Sequence, residues 1–274
     1  MSVVGGALWR QPEFLKLWIG SSISAIGSQV TALALPLTAV LMFGSGPAET
    51  GLLTAAGVAP TLLLGLIAGA WIDRLPRRPV RIIADLASAL IIASVPIAAL
   101  AGALRLEHLY VVTFLAGCCA VWSRISATAM LPSLVGRRNL LEANSKMITS
   151  FSAAQIAGPS LAGVLVQVLS APLALTADAC SFVVSAAFAW RIRVQEPTSS
   201  GARSRGIWHE VLEGLTWLRA EPILFRLTFC IGLANLAWYG VQAVTVVYAT
   251  RDLGLSPAVL GLALGVMGPS SLVG

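Results

Sequence analysis

Long apolar runs follow one another along almost the whole chain, and they constrain its fold more than any other feature. A helix that crosses a hydrocarbon core of roughly 30 Å needs about 20 mostly apolar residues. Because the runs are continuously apolar rather than alternating, they predict membrane-spanning helices and not barrel strands. Eight spans are predicted, at 15–43, 51–72, 82–104, 109–130, 148–169, 172–190, 224–249 and 257–274.

The composition is that of a chain whose solvent is lipid. Hydrophobic residues make up 57% of it and charged residues only 11%, whereas about a quarter of the residues in a soluble domain are charged. Cysteines occur only within predicted spans and lack the spacing of metal ligands, so they are interpreted as small buried apolar side chains, with no metal site expected. They are Cys118, Cys119, Cys180 and Cys230.

Basic residues alternate between the predicted connections. The connection at 44–50 has no Lys or Arg, and only Arg105 and Arg251 fall on the same side of the membrane. The other connections carry Arg74, Arg77, Arg78, Arg81, Arg137, Arg138, Lys146, Arg191, Arg193, Arg203, Arg205 and Arg219. The positive-inside rule therefore predicts a cytoplasmic N-terminus. This sidedness accounts for the net charge of +6, so no nucleic-acid partner is expected.

A polar stretch at 191–205 separates six spans from the last two, as a flexible linker between two bundles would. The predicted division is an N-terminal bundle at 1–192, a linker at 193–222 and two further spans at 223–274. Within the linker, apolar residues at helical spacing over 207–218 predict a helix lying along the inner membrane surface, with a partner-binding helix as the alternative.

A weak internal repeat relates the second predicted span to the eighth. Pro-Thr-Leu-Leu-Leu-Gly at 60–65 aligns with Pro-Ser-Ser-Leu-Val-Gly at 269–274. Parallel repeats of two six-helix halves produce such matches. The repeat predicts that the chain stops before its second half is complete.

The connection after the second span contains Gly69, Asp73, Arg74, Arg77 and Arg78. Their spacing resembles the signature loop of the major facilitator superfamily, Gly-x-x-x-Asp-Arg-x-x-Arg-Arg/Lys, and the resemblance implies a gating loop. A simple positive-inside anchor would explain the arginines, but it would leave the positions of the glycine and the aspartate unexplained.

The fifth span carries a second motif, Gly158-Pro159-Ser160-Leu161-Ala162-Gly163. It resembles the Gly-Pro-x-x-Gly-Gly motif of antiporters in the same superfamily, with Ala162 replacing one glycine. The resemblance implies a bent, closely packed helix that limits leak between transport states, and a packing kink without that role is the alternative.

Three further segments, at 17–24, 127–135 and 140–145, are similar to the branch of the superfamily that contains macrolide efflux proteins and the enterobactin exporter. Ser28 departs from that branch, in which an acidic or amide residue is common at the position. Serine does not carry a proton at working pH, so another group must titrate if protons drive the exporter.

The resemblance implies an all-α integral membrane fold: a six-helix N-terminal major facilitator bundle plus about two helices of a second bundle. It also implies secondary active export of small amphipathic molecules by alternating access. The partners that it implies are the small-molecule substrate, protons as the coupling ion and the lipid bilayer of a bacterial-type inner membrane. No phosphate loop, nucleophile elbow or histidine cluster is found, so neither an enzyme nor a cofactor is expected. The alternative is a truncated, non-transporting membrane protein or a partner-binding membrane module.

Charged side chains within spans are expensive, so each is a candidate for function. Asp178 lies about 9 Å inside the outer face, counted from Pro172 at 1.5 Å per residue, and has no evident basic partner at its depth. It is the preferred proton-coupling candidate, and a protonated or hydrogen-bonded aspartate that only packs is the alternative. Arg124 and Asp85 lie at compatible depths towards the inner face, so a structural ion pair that neutralises both charges and a transport or gating role are both open. The amides Gln29, Gln155, Asn235 and Gln242 are candidates to line a cavity or to join helices by hydrogen bonds.

Overall fold

The structure, a computed structural model, describes residues 8–72, 75–193 and 216–267, with the backbone alone at 66–70, 72 and 267. Its long helices are α1 (Pro12–Phe43), α2 (Pro47–Ile72), α3 (Arg77–Leu100), α4 (Leu106–Val135), α5 (Leu140–Leu169), α6 (Ala171–Trp190), α7 (Pro222–Val247) and α8 (Pro257–Met267). Seven of them are long and apolar enough to cross a membrane, and the described part of α8 is a shorter apolar helix. The predicted all-α membrane fold is confirmed.

Helix boundaries follow backbone chemistry more closely than hydropathy. α1, α2, α7 and α8 all begin at a proline, because the first turn of a helix needs no N–H donor from that position. α1 ends at Phe43 and is capped by Gly44, whose φ of 63° is left-handed, a conformation that costs glycine little. α5 begins at Leu140 rather than at the predicted 148. Its first two turns contain several polar residues, so hydropathy did not include them in the span although they are helical.

The predicted linker lies mostly outside the described residues. Of 193–222, the segment 194–215 is not described, and 216–220 is helical. Most of the predicted amphipathic helix therefore also lies outside the described residues. The division at 192 and 222 stays a prediction.

The first six helices form one bundle around α1. α1 packs against α5 and α6, α3 packs between α4 and α6, and α2 packs against α4. The main apolar cluster includes Leu37, Ile92 and Leu175, and it extends to Val247 of α7 and Leu260 of α8. We call the end of the bundle with Arg77, Arg137 and Arg191 the basic end, and the end with Gly44 the opposite end.

The cysteines are less buried than predicted. Cys118 and Cys119 are partly buried, and Cys180 and Cys230 are exposed. The prediction of four buried side chains was therefore wrong, because hydropathy does not distinguish a helix side packed against protein from one that faces lipid.

Candidate functional site

Asp178 lies in the interior of the bundle, between α6 and α1, with 0% of its surface exposed. Thr31 of α1 donates a hydrogen bond to its Oδ2. Ser181, one turn further along α6, donates to its Oδ1 at 3.0 Å. A buried carboxyl group held by neutral hydroxyls can gain or lose a proton without breaking an ion pair.

Gly27 of α1 makes the room for this carboxyl group. A Cβ atom at that position would overlap Ser181 Oγ and Asp178 Oδ1. Small residues allow helices to approach closely in membranes. Here the missing side chain admits polar groups from α6 into the contact.

A second buried polar cluster, nearer the basic end, surrounds Asp85 of α3. Its Oδ1 accepts a hydrogen bond from Ser123 of α4 at 2.6 Å, and its Oδ2 accepts one from Ser185 of α6 at 2.7 Å. Arg81, one turn earlier on α3, has its Nε 3.6 Å from Asp85 Oδ2. Arg81 Nη2 also donates to Ser21 of α1 at 2.9 Å. The cluster joins four helices through one ion pair and its serine partners.

The expected pairing of Asp85 with Arg124 was wrong. Asp85 meets Ser123, while the next residue, Arg124, is exposed. Successive helical residues point about 100° apart, because a turn holds 3.6 of them. Sequence depth placed Arg124 and Asp85 at the same level, but rotation about the axis of α4 separates them.

The gating-loop candidates are described only in part. Asp73 and Arg74 lie outside the described residues, and Gly69 is described by its helical backbone alone. Arg77 donates to Ala129 O of α4 at 2.7 Å. Arg78 donates to Ala189 O at 3.2 Å and to Trp190 O, both in the last turn of α6. These arginines supply donors to carbonyl groups near the ends of two helices.

The antiporter-like motif on α5 contacts two different helices. A Cβ atom at Gly158 would overlap the side chain of Gln29 on α1. One at Gly163 would lie 2.5 Å from Pro257 O and 3.0 Å from Gly261 Cα on α8. Pro159 O borders the same crossing, close to Gly261. The motif therefore forms the contact between the first bundle and α8.

The four candidate amides do not form one polar site. Gln29 is partly buried at the contact of α1 with α5, and Gln155 is exposed on α5. Asn235 and Gln242 are exposed on α7, and Asn235 Nδ2 donates to Ile231 O of its own helix at 2.9 Å. Of these four amides, only Gln29 lies against one of the sequence motifs, where its side chain packs on Gly158.

Sequence reasoning missed several members of the two buried clusters. Arg81 was counted only as a positive-inside residue, although its spacing of four residues from Asp85 indicates a pair on one helix face. The sequence carries no comparable spacing signal for the hydroxyl residues, because hydroxyl groups are common in membrane helices and the partners of these lie on other helices. They are Ser21, Thr31, Ser123 and Ser185.

Comparison with known sequences gives a consistent result. The Major Facilitator Superfamily profile matches residues 17–274. The multidrug efflux pump Tap of Mycolicibacterium fortuitum is 32% identical over 225 residues, covering 78% of this chain and 54% of that protein. The MFS-type transporter YfiS of Bacillus subtilis (strain 168) is 23% identical over 269 residues, covering 96% of this chain and 63% of that protein. The chain thus spans less than two thirds of the length of these relatives.

A solved structure supports the same assignment at the level of the fold. It is a bacterial homologue of the human lysosomal transporter Spinster, in an inward-facing and unoccupied conformation. The TM-score is 0.75 at 14% sequence identity, with 97% of this chain and 60% of that chain covered. With the profile match over nearly the whole length, the helical bundle and its motifs identify this chain as a member of the major facilitator superfamily of membrane transporters.

Proposed function

We propose that these residues belong to a secondary active exporter of small amphipathic molecules, which works by alternating access and exchanges its substrate for protons. The similarity to the multidrug efflux pump Tap supports export. Helices that are apolar over most of their length suit lipophilic substrates. Two bundles that rock about a site near the middle of the membrane would provide the path.

One observation carries the proton coupling: Asp178 is a fully buried carboxyl group whose hydrogen-bond partners in the described part of the chain are the hydroxyls of Thr31 and Ser181. Asp85, by contrast, is paired with Arg81. A group that alternates between charged and neutral forms within a bundle changes the free energy of that bundle, and this change links proton binding to conformation.

The basic end is proposed to face the cytoplasm of a bacterial-type inner membrane, which also places the N-terminus there. Arg77, Arg137, Arg138 and Arg191 lie at this end, and the positive-inside rule favours the assignment. The loop with Gly69, Asp73, Arg74, Arg77 and Arg78 would then act as a cytoplasmic gate. The contacts of Arg77 and Arg78 with the ends of α4 and α6 support a role in holding that side together.

Contacts at the opposite end support a resting state that is closed to the outside. Arg251, in the π-helical turn after α7, donates to Gly44 O at the end of α1. Val40 of α1 and Val247 of α7 belong to the same apolar cluster. The inward-facing conformation of the Spinster homologue agrees with this proposal.

Replacing Asp178 by asparagine tests the proposed coupling. The protein for this test is a transporter that joins residues 1–274 to the remaining helices of a second bundle. We expect D178N to lower proton-driven efflux about 100-fold, the lower end of the range by which a positioned proton-transfer group accelerates a reaction. Substrate exchange without a proton gradient should continue, since asparagine has nearly the same shape as the neutral carboxylic acid. Both are measured in proteoliposomes.

The exposed Asp252, in the turn after α7, provides the matched control. D252N makes the same chemical change where no buried network is disturbed, so proton-driven efflux should be unchanged. Full coupling in D178N would remove Asp178 from the mechanism.

A non-transporting membrane module is the second candidate, and one observation favours it for residues 1–274 on their own. Large apolar side chains of α7, such as Phe229 at 66% and Leu236 at 70%, are exposed along most of the helix. Helices of a second bundle would cover such a surface. We therefore expect cells that express only residues 1–274 to accumulate a fluorescent efflux substrate as strongly as cells with an empty vector, and active efflux would refute this.

A further inference from the structure

One face of α6 carries three buried polar side chains in a row. Asp178, Ser181 and Ser185 stand at i, i+3 and i+7, which places them on the same side of a helix. Their exposed fractions are 0%, 7% and 1%. Burying three polar groups in line is costly unless each has partners. Those partners connect the two polar clusters described above.

The row begins at the proton-coupling candidate. Thr31 and Ser181 hold the two carboxylate oxygens of Asp178. Ser181 Oγ also lies 2.8 Å from the backbone carbonyl oxygen of Asp178. Its hydroxyl can therefore donate either to that carbonyl oxygen or to Asp178 Oδ1. A hydroxyl both donates and accepts, and it can pass a proton from one neighbour to the next.

The row ends at the buried ion pair nearer the basic end. Ser185 donates to Asp85 Oδ2 at 2.7 Å and accepts from Arg81 Nη2 at 3.1 Å. Asp85 accepts the hydrogen bond of this hydroxyl, and Ser123 holds its other oxygen. A proton that reaches Ser185 therefore meets an acceptor on α3 at hydrogen-bonding distance.

A gap of one helical turn separates the two ends of the row. Ser181 and Ser185 are one turn apart, about 6 Å along the axis. α1 brings Gly27 against Ser181 and Gly20 against Ser185, with Ser24 between them in sequence. Hydroxyl groups at both ends of the gap, with a glycine of α1 against each serine, suit a bridging water molecule.

We propose that the contact between α1 and α6 is a proton path inside the first bundle, which runs from Asp178 through Ser181 and Ser185 to Asp85. The path rests on the proposed function of Asp178. It does not pass the crossing of α5 with α8, one of the contacts between the first bundle and the last two helices.

The transfer balances as a relay of single protons. Asp178 gives its proton to Ser181 Oγ, Ser181 gives its own hydroxyl proton to one bridging water molecule, and this water molecule passes a proton on to Ser185. Ser185 accepts that proton and gives its own to Asp85 Oδ2. Asp178 ends as a carboxylate and Asp85 as a carboxylic acid, while both serines return to neutral hydroxyls. Release from Asp85 towards the basic end restores its ion pair with Arg81.

Hydrogen–deuterium exchange of the Asp178 carboxyl group tests the path on residues 1–274 in lipid nanodiscs. Infrared spectroscopy follows the carboxylic-acid C=O band, which D178N assigns by removing it. After transfer into D₂O, we expect S181A and S185A each to slow the shift of this band about 100-fold, since each removes a positioned proton-transfer group. The melting temperature of each variant establishes that the bundle remains folded.

Ser126 of α4 is the matched control, because it is a buried serine of the same bundle whose hydroxyl has no hydrogen-bond partner in the described part of the chain. S126A should exchange at the unaltered rate. Wild-type exchange rates in S181A and S185A would overturn the path and leave the role of Asp178 intact. A spectrum in which D178N removes no carboxylic-acid band would overturn the proposed proton coupling itself.

Discussion

Replacing Asp85 by alanine is expected to lower the free energy of unfolding by about 3–5 kcal/mol, the cost of leaving one partner of a buried ion pair alone. Arg81 is only 2% exposed, and without Asp85 its guanidinium group keeps hydroxyl acceptors but loses its counter-ion. Ser123 and Ser185 lose their acceptor in the same step. Unfolding of the purified protein, followed by circular dichroism in detergent, measures the change.

Two further variants make this result specific. Glu142 and Lys146 form another i, i+4 ion pair, at 2.8 Å, but both side chains are partly exposed. E142A should therefore cost only about 0–1 kcal/mol. The double variant R81M/D85L removes both charges together and should recover most of the lost stability, because an apolar pair of similar volume often replaces a buried ion pair without cost. Near wild-type stability of D85A would contradict the role of the pair.

Gly163→Val is expected to separate α8 from α5. The new side chain would meet backbone atoms, Pro257 O and Gly261 Cα, rather than flexible side-chain ends. Overpacking costs about 1–3 kcal/mol even in cores that can adjust. Since backbone atoms of a helix move only with the helix, we expect the contact to be lost.

An engineered disulfide measures that contact. A Cβ atom at Gly265 would lie 3.7 Å from Ser160 Cβ, within the roughly 3.5–4.5 Å that a disulfide requires. S160C/G265C, without the native cysteines, should form the bond, and adding Gly163→Val should abolish it. Gly232 has no heavy atom within 4 Å of its added Cβ, so Gly232→Val should leave the bond unaffected. A disulfide that persists with Gly163→Val would show that the crossing tolerates a side chain.

Hydropathy alone predicted the membrane helices, because in lipid each spanning segment has to form its backbone hydrogen bonds within itself. The predicted first and second spans differ from α1 and α2 only at their starts. The fifth differs more, since α5 begins at Leu140 in polar sequence that hydropathy assigns to a connection. Composition and spacing also singled out Asp178, as an acidic residue in an apolar run.

The partners of the polar residues depended on how the helices are rotated against one another. One residue of rotation about α4 decides that Ser123, and not Arg124, meets Asp85. The same applies to Gly27, whose contact with Asp178 and Ser181 follows from the crossing of α1 and α6. A sequence determines which segments enter the membrane because the cost of burying each one is local. Which side chains meet is decided only by the tertiary structure, because that depends on the rotation and crossing of helices far apart in the chain.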